Sequence, residues 1–349
     1  MKLLICTQAV DKNDPILGFF HRWVEEFAKH FEHVFVICLK EGTHTLPDNV
    51  TVFSLGKEGG EDRVKYFFRF YLFFARVFFK EKVNFVLFHM GAIYNILALP
   101  FFCLRKFNHT KFVWWKTHGL LNFVGKIALI GVDEVVTAGS KSFNAKAKKV
   151  RVVGHAIDTE TFTYTPRIEE NTDLQILMVG RVTPIKKIEN AFQTISAFRE
   201  KINTNIFLDI YGPVTDISYK EKLQEVIEKS RLQDCVQFLP AQTPAQMQGI
   251  YQQYDVLIHP SYEAGFDKVV LEAMATGVIP ITSIQSFEPI LSLFNLYIDA
   301  NNNEKYVEMC SHIQKMTSEE RGVLREKLRK IVIDSHSIST LPERIFRVL

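Results

Sequence analysis

Two stretches of the chain gather cations, glycines and a carboxylate in a spacing suited to a phosphorylated ligand. In LQILMVGRVTPIKK an apolar run ends at Gly180, and Arg181 and Lys186 follow, five residues apart around Pro184. A glycine at a strand tip lets the backbone approach a ligand closely. Arg supplies a planar fork of donors and Lys a mobile point charge, a pair that suits a diphosphate. In DVLIHPSYEAGFDKVVLEAMATGVIPI a strand ends at His259-Pro260-Ser261. A loop with Glu263, Gly265 and Phe266 follows, and a helix then starts near Lys268, contains Glu272 and ends at Gly277. A helix N-terminus offers unpaired N–H groups and a partial positive charge to a phosphate. A carboxylate one turn further in accepts both hydrogen bonds of a ribose diol. The plainer readings are a solvated loop before a helix and a simple strand-to-helix turn with Glu272 as a surface acid.

Taken together and in this order, the two segments resemble glycosyltransferase family 4, the glycosyl transferases of group 1. The family's G-R-x-x-x-x-K is matched by Gly180, Arg181 and Lys186. Its P-S…E-G-F…E-A-M-A-x-G block is matched by Pro260, Ser261, Gly265, Phe266, Glu272, Ala273, Met274, Ala275 and Gly277. The resemblance implies a GT-B fold: two Rossmann-like, doubly wound parallel-sheet α/β domains facing across a cleft. It implies that Arg181 and Lys186 hold the diphosphate of a UDP- or GDP-linked sugar and that Glu272 holds the ribose. The stretch Gly265, Phe266, Asp267, Lys268, Val269 and Val270 would line the nucleotide site beside Gly180.

The first half matches less closely. FVWWKTHG is similar to the family's T-x-H-G region, which implies that His118 faces the reaction centre, on the donor sugar or beside the acceptor. KVRVVGHAIDTETF (149–162) is similar to the interdomain V-I-P-N-G-V-D-x-x-x-F, with His155 and Ala156 in place of Asn-Gly. Two departures stand out. The family's first Glu directly precedes G-F and contacts the transferred sugar. Here Ala264 holds that place and Glu263 lies one residue earlier. Glu263 then makes the contact, or Asp267 does, or it is absent. The first loop, QAVDKNDPILG, has the single glycine Gly18 on the acceptor side, where the family commonly has a pair.

The implied activity is retaining transfer of a sugar from a nucleoside diphosphate to a glycan or lipid-linked glycan, as in bacterial surface-polysaccharide synthesis. His118, Arg181, Lys186 and Glu263 would carry it. The family generally uses no metal, and no ligand-like cluster is spaced along this sequence. Ala264 motivates a reading of another class: a catalytically impaired GT-B protein that binds a nucleotide sugar or supports a partner transferase. Turnover of any donor excludes it.

The elements that must position these residues alternate strand and helix twice. The first half reads as strands 2–6, 34–38, 51–54, 85–89, 111–115, 134–137 and 150–153, with helices 18–31, 63–80, near 92–104 and near 122–130. Strands 174–179, 206–211, 236–239, 255–259, 278–282 and 296–298 follow, with helices 187–201 and 217–231. A last long helix starts near Thr317, with Glu320 completing a capping box. Short apolar strands between longer helical segments indicate parallel sheets. The polar stretch 161–173 reads as a linker. The expected domains are 1–163 for the acceptor, 164–335 for the nucleotide sugar, and a segment 336–349 packing back on the first.

The 349 residues fit two domains, and 47 % hydrophobic with 23 % charged excludes a disordered chain. Residues 1–160 carry 22 Lys and Arg against 15 Asp and Glu, and the remainder 20 against 24. A net charge of +3 gives no argument for nucleic acid, while the basic first half fits an anionic substrate or membrane. Five scattered cysteines without a C-x-x-C pair form neither a disulfide framework nor a zinc site. The start reads as a strand, not a signal peptide, so a cytoplasmic protein is expected. Residues 83–104 lack formal charge, but Asn84, His89, Asn95 and Pro100 oppose a membrane span. In KYFFRFYLFFARVFFK (65–80) nine of sixteen residues are aromatic, and Lys65, Arg69, Arg76 and Lys80 share one helical stripe. Either this is a core helix with a solvated basic edge, or it lies on an anionic inner membrane face with basic groups at the headgroups.

Overall fold

The computed structural model describes residues 1–14, 17–117, 121–143, 148–166, 173–201, 205–262 and 265–347. It divides into two compact units, Met1–Ala156 with Ile338–Leu349, and Ile157–Ser337.

The first unit is built on seven parallel strands: β1 (Lys2–Val10), β2 (His33–Glu41), β3 (Val50–Ser54), β4 (Phe85–His89), β5 (Lys111–Trp115), β6 (Glu134–Thr137) and β7 (Val150–Val152). Their order is β3-β2-β1-β4-β5-β6-β7. Both sheet faces are covered, so β1 is apolar at successive positions, as a buried parallel strand must be. Leu3 and Ile5 join a core with Trp23 and Phe27 of α1 (Phe19–His30). Leu4 and Cys6 join the opposite core, with Phe70 and Phe74 of α2 (Arg63–Ala75) and Phe101. The helix expected over 63–80 changes hand-hold at Ala75 and continues as a π-helical segment, Arg76–Glu81. Val77 and Phe78 of this segment are fully buried. The helix expected near 92–104 is two, Ala92–Leu97 and Leu99–Asn108, with Pro100 in the first turn of the second. Among the described residues no helix is long and apolar enough to cross a membrane.

The second unit has five parallel strands: β8 (Leu174–Val179), β9 (Ile206–Tyr211), β10 (Val236–Leu239), β11 (Val256–His259) and β12 (Ile279–Thr282). Their order is β10-β9-β8-β11-β12. The strand expected at 296–298 is only an isolated bridge between Thr282 and Tyr297. Helix α3 (Pro244–Tyr251) went unread in the sequence, although Thr243 and Gln246 form a capping box at its start. Helix α4 (Lys268–Thr276) ends at Gly277, and α5 (Ser318–His336) starts on the expected Thr317–Glu320 box.

The division falls after Ala156, not after residue 163. The Ile157 N–H donates to the His336 carbonyl at 2.7 Å, and the Thr159 and Ser337 hydroxyls lie 2.9 Å apart. Arg329 of α5 donates to the Phe162 carbonyl at 2.8 Å. These bonds tie 157–163 into the second unit. In the first unit the terminal helix Leu341–Phe346 sets the Phe346 ring 4.6 Å from Phe85 and 5.0 Å from Phe31, and Arg344 donates to the His155 carbonyl at 2.8 Å.

Candidate functional site

In the second sheet β8 and β11 are neighbours from which the chain order runs outward in both directions. Loops leaving the carboxyl ends of such a pair form the usual ligand crevice of an open α/β sheet. Both sequence motifs leave from these two strands.

β8 passes into Gly180, whose φ of +147° disfavours any side chain. A Cβ there would lie 3.2 Å from Cε of Lys186. The loop is fixed from behind by the exit of β9. The Gly180 N–H donates to the Tyr211 carbonyl at 2.9 Å, and the Val182 N–H to the Pro213 carbonyl at 3.0 Å. Pro184–Lys186 then forms a single 3₁₀ turn. It carries Lys186 inward, to 7 % exposure, while Arg181 stays exposed. Met178, Gly180, Arg181, Lys186, Ile188 and His259 line a small pocket here.

The Lys186 ammonium lies 2.7 Å from Oδ2 of Asp267, and Nε2 of His259 lies 3.1 Å from the same oxygen. Asp267 is the N-cap of α4, accepting from the Val269 N–H. Burial alone would raise its pKa, but His259 and Lys186 outweigh that and hold it well below the usual carboxylate range. His259 is 2 % exposed, and its Nδ1 has no partner among the described residues. The two loops are also joined directly: the Ser261 hydroxyl donates to the Ile185 carbonyl at 3.3 Å, and the Lys187 ammonium stands 5.3 Å over the Tyr262 ring.

Further into α4, Lys268 and Glu272 are four residues apart and share a face. Burial pushes the lysine pKa down and the glutamate pKa up, and their mutual attraction opposes both shifts. The buried Tyr251 of α3 donates to Oε2 of Glu272 at 3.1 Å. This bond fixes the rotamer of the acid expected to hold a ribose. Among the described residues no group of three or more His, Cys, Asp and Glu is placed to hold a metal ion.

The structure thus brings Gly180, Arg181 and Lys186 to one end of the sheet with Asp267, and places Lys268, Val269 and Glu272 along the adjoining helix. The Phe266 and Val270 side chains are not available to a ligand. Phe266 is buried with its ring 4.4 Å from Phe287 and 5.3 Å from His336, and Val270 is fully buried. Only their backbone can line a site. His118 and Glu263, with Ala264, lie outside the described residues. Gly18 belongs to the first unit, just before α1, where a Cβ would meet the Asp14 carbonyl at 2.6 Å. Sequence reasoning missed the parts played by His259 and Tyr251. The position of His259 at a strand's carboxyl end was the available signal.

A parallel α/β unit with a glycine-tipped, cationic loop beside a capped helix start, paired with a second parallel α/β unit, defines the fold class of the GT-B glycosyltransferases. Residues 164–315 match the model of the family described as glycosyl transferases group 1. The chain is 23 % identical over 178 residues to the O-antigen chain mannosyltransferase RfbU of Salmonella typhimurium, a match covering 51 % of this chain and 48 % of that protein. It therefore spans about half the length of this curated relative. HepE of Anabaena in complex with UDP superposes with a TM-score of 0.72 at 12 % identity, over 100 % of this chain and 99 % of HepE. The lipopolysaccharide outer core galactosyltransferase WaaB superposes with a TM-score of 0.69 at 15 % identity, over 100 % of both chains. The superpositions show the fold, and the family match falls on the second unit.

Proposed function

We propose that the protein is a family 4 glycosyltransferase that moves a hexosyl group from a nucleoside-diphosphate sugar to a glycan or lipid-linked glycan hydroxyl, with retention of configuration. One observation carries this reading. Gly180, Arg181, Lys186 and the start of α4 stand together at the carboxyl ends of β8 and β11, and Glu272 follows on the same helix, fixed by Tyr251. Arg181, Lys186 and the α4 N-terminus neutralise charge as the diphosphate leaves. The chain's own cations serve here in place of a metal. UDP is the first nucleotide to test, because HepE was solved with it; GDP is the second. A nucleotide at about 100 times its Kd adds about 2.7 kcal/mol, which raises Tm by several degrees in a thermal-shift measurement. One of the two is expected to give this shift with the native chain and to lose most of it with Arg181→Ala. The absence of a shift with either nucleotide overturns the donor site.

The same reading extends to the membrane. Helix α2 buries Phe70 and Phe74 but leaves Val64 63 %, Phe68 67 % and Leu72 65 % exposed. These three recur every four residues, a stripe that a helix serving only the core would not leave apolar. The expected basic stripe is narrower than four independent cations. Lys65 pairs with Glu61 at 2.6 Å, and Arg69 donates to Glu61 and to the Leu55 carbonyl, each at 3.1 Å. Arg76 and Lys80 remain exposed beside Phe79. An apolar stripe flanked by cations fits the inner face of an anionic membrane. Flotation with vesicles containing anionic lipid is expected to recover the protein, and Phe68→Ser with Leu72→Ser to abolish recovery. Equal recovery of the double variant excludes α2 as the contact.

A further inference from the structure

The donor site of the proposed function already contains an anion. Asp267 Oδ2 receives the Lys186 ammonium at 2.7 Å and faces His259 Nε2 at 3.1 Å, while its carboxylate caps α4. An ammonium, an imidazole and the N–H groups of a helix start are the donor set expected for a phosphate oxygen. Here a side chain of the protein uses all three. His259 has no second partner among the described residues, since its buried Nδ1 is unpaired, so its bond to Asp267 is the one that orients the ring.

We propose, resting on the donor-site reading above, that Asp267 is an internal counter-anion: it occupies the cationic site when the site is empty and competes with the nucleoside diphosphate for Lys186. A diphosphate that takes Lys186 must either displace the carboxylate or sit beside a like charge, and both weaken its hold. The competition has a use after transfer. Return of Asp267 to Lys186 hastens departure of the nucleoside diphosphate, which would otherwise remain in a strongly cationic pocket. Release of product limits turnover in many transferring enzymes. Asp267 acts here through Lys186, so it is a positioning residue.

The test uses the full chain with UDP and GDP, and with uridine and guanosine as probes that lack phosphate. Asp267→Asn and Asp267→Ser remove the charge and keep an effective N-cap; the second serves if the first does not fold. For whichever diphosphate binds the native chain, the neutral variants are expected to bind at least tenfold tighter. The gain is expected in a slower dissociation rate measured by stopped flow, with nucleoside affinity unchanged. The ligand-free Tm should fall at the same time, because Lys186 loses its 2.7 Å contact with the Asp267 carboxylate. A residue serving only as a cap or as an anchor for Lys186 would lower both stability and affinity. Diphosphate affinity that is unchanged or weaker in the variants therefore overturns the counter-anion and leaves the donor site standing. Failure of UDP and GDP to bind any of the folded proteins overturns the donor site itself, and this inference with it.

Discussion

Replacing Lys186 by alanine is expected to lower kcat/KM by about 10²–10³, the loss found when one donor to a developing anion is removed. The same change is expected to destabilise the second unit by about 3–5 kcal/mol, as when a buried ion pair loses one member. The two losses have separate origins. On the proposed donor-site reading, the first comes from the phosphate, which loses an ammonium. The second comes from Asp267, whose carboxylate keeps only His259 and the helix cap once the 2.7 Å contact is gone. Because both side chains are largely buried, solvent screening reduces the effect little. The sign with pH follows from the carboxylate. Its folded-state pKa is depressed, so the stabilisation is present above the unfolded value of about 3.9 and disappears as pH falls below it. Urea unfolding at pH 7 therefore measures the whole effect. Adding Asp267→Asn to Lys186→Ala removes the stranded charge. The double variant should recover most of the stability and little of the activity. Recovery of neither, or a single variant as stable as the native chain, refutes the ion-pair account.

The sequence carried the sheet interiors well. Runs such as LQILMV and FVLFH are buried on both faces, and their ends fall at Leu174–Val179 and Phe85–His89 as read. Gly180, Lys186 and Glu272 stand where their local spacing put them, after β8, in the turn that follows and within α4. What was not legible is tertiary. Phe266 looks like part of a binding loop, yet its side chain anchors that loop by packing on Phe287 and His336. His259 and Asp267 are eight residues apart and meet only because β11 and α4 fold back on each other. Helix α3 has little amphipathic pattern, so its Tyr251 could not be aimed at Glu272 from periodicity. The π-helical segment Arg76–Glu81, with Val77 and Phe78 buried in it, is hidden by a fixed helical period.

Gly212 shows the same limit and gives the second large effect. It follows β9 with no motif around it, yet an added Cβ would stand 1.8 Å from the carbonyl oxygen of Gly180. The neighbour is backbone, so no rotamer relieves the clash. Its own φ of +157° adds strain for any side chain. Gly212→Ala must therefore push the β8 loop away from the β9 loop, and the Val182–Val214 bridge is the contact that would part. Overpacking and backbone strain each contribute about 1–3 kcal/mol. At about 2–4 °C per kcal/mol for a unit of this size, Tm should fall by roughly 10 °C. The displaced segment is the one that carries Arg181 and Lys186, so nucleotide binding should weaken further than the loss of stability alone explains. Thermal melts with and without UDP or GDP separate the two effects. A variant that melts early but keeps the full nucleotide shift would mean that the loop re-forms around the alanine. Loss of the shift at temperatures where the fold is intact would show that the exit of β9 holds the phosphate loop in place.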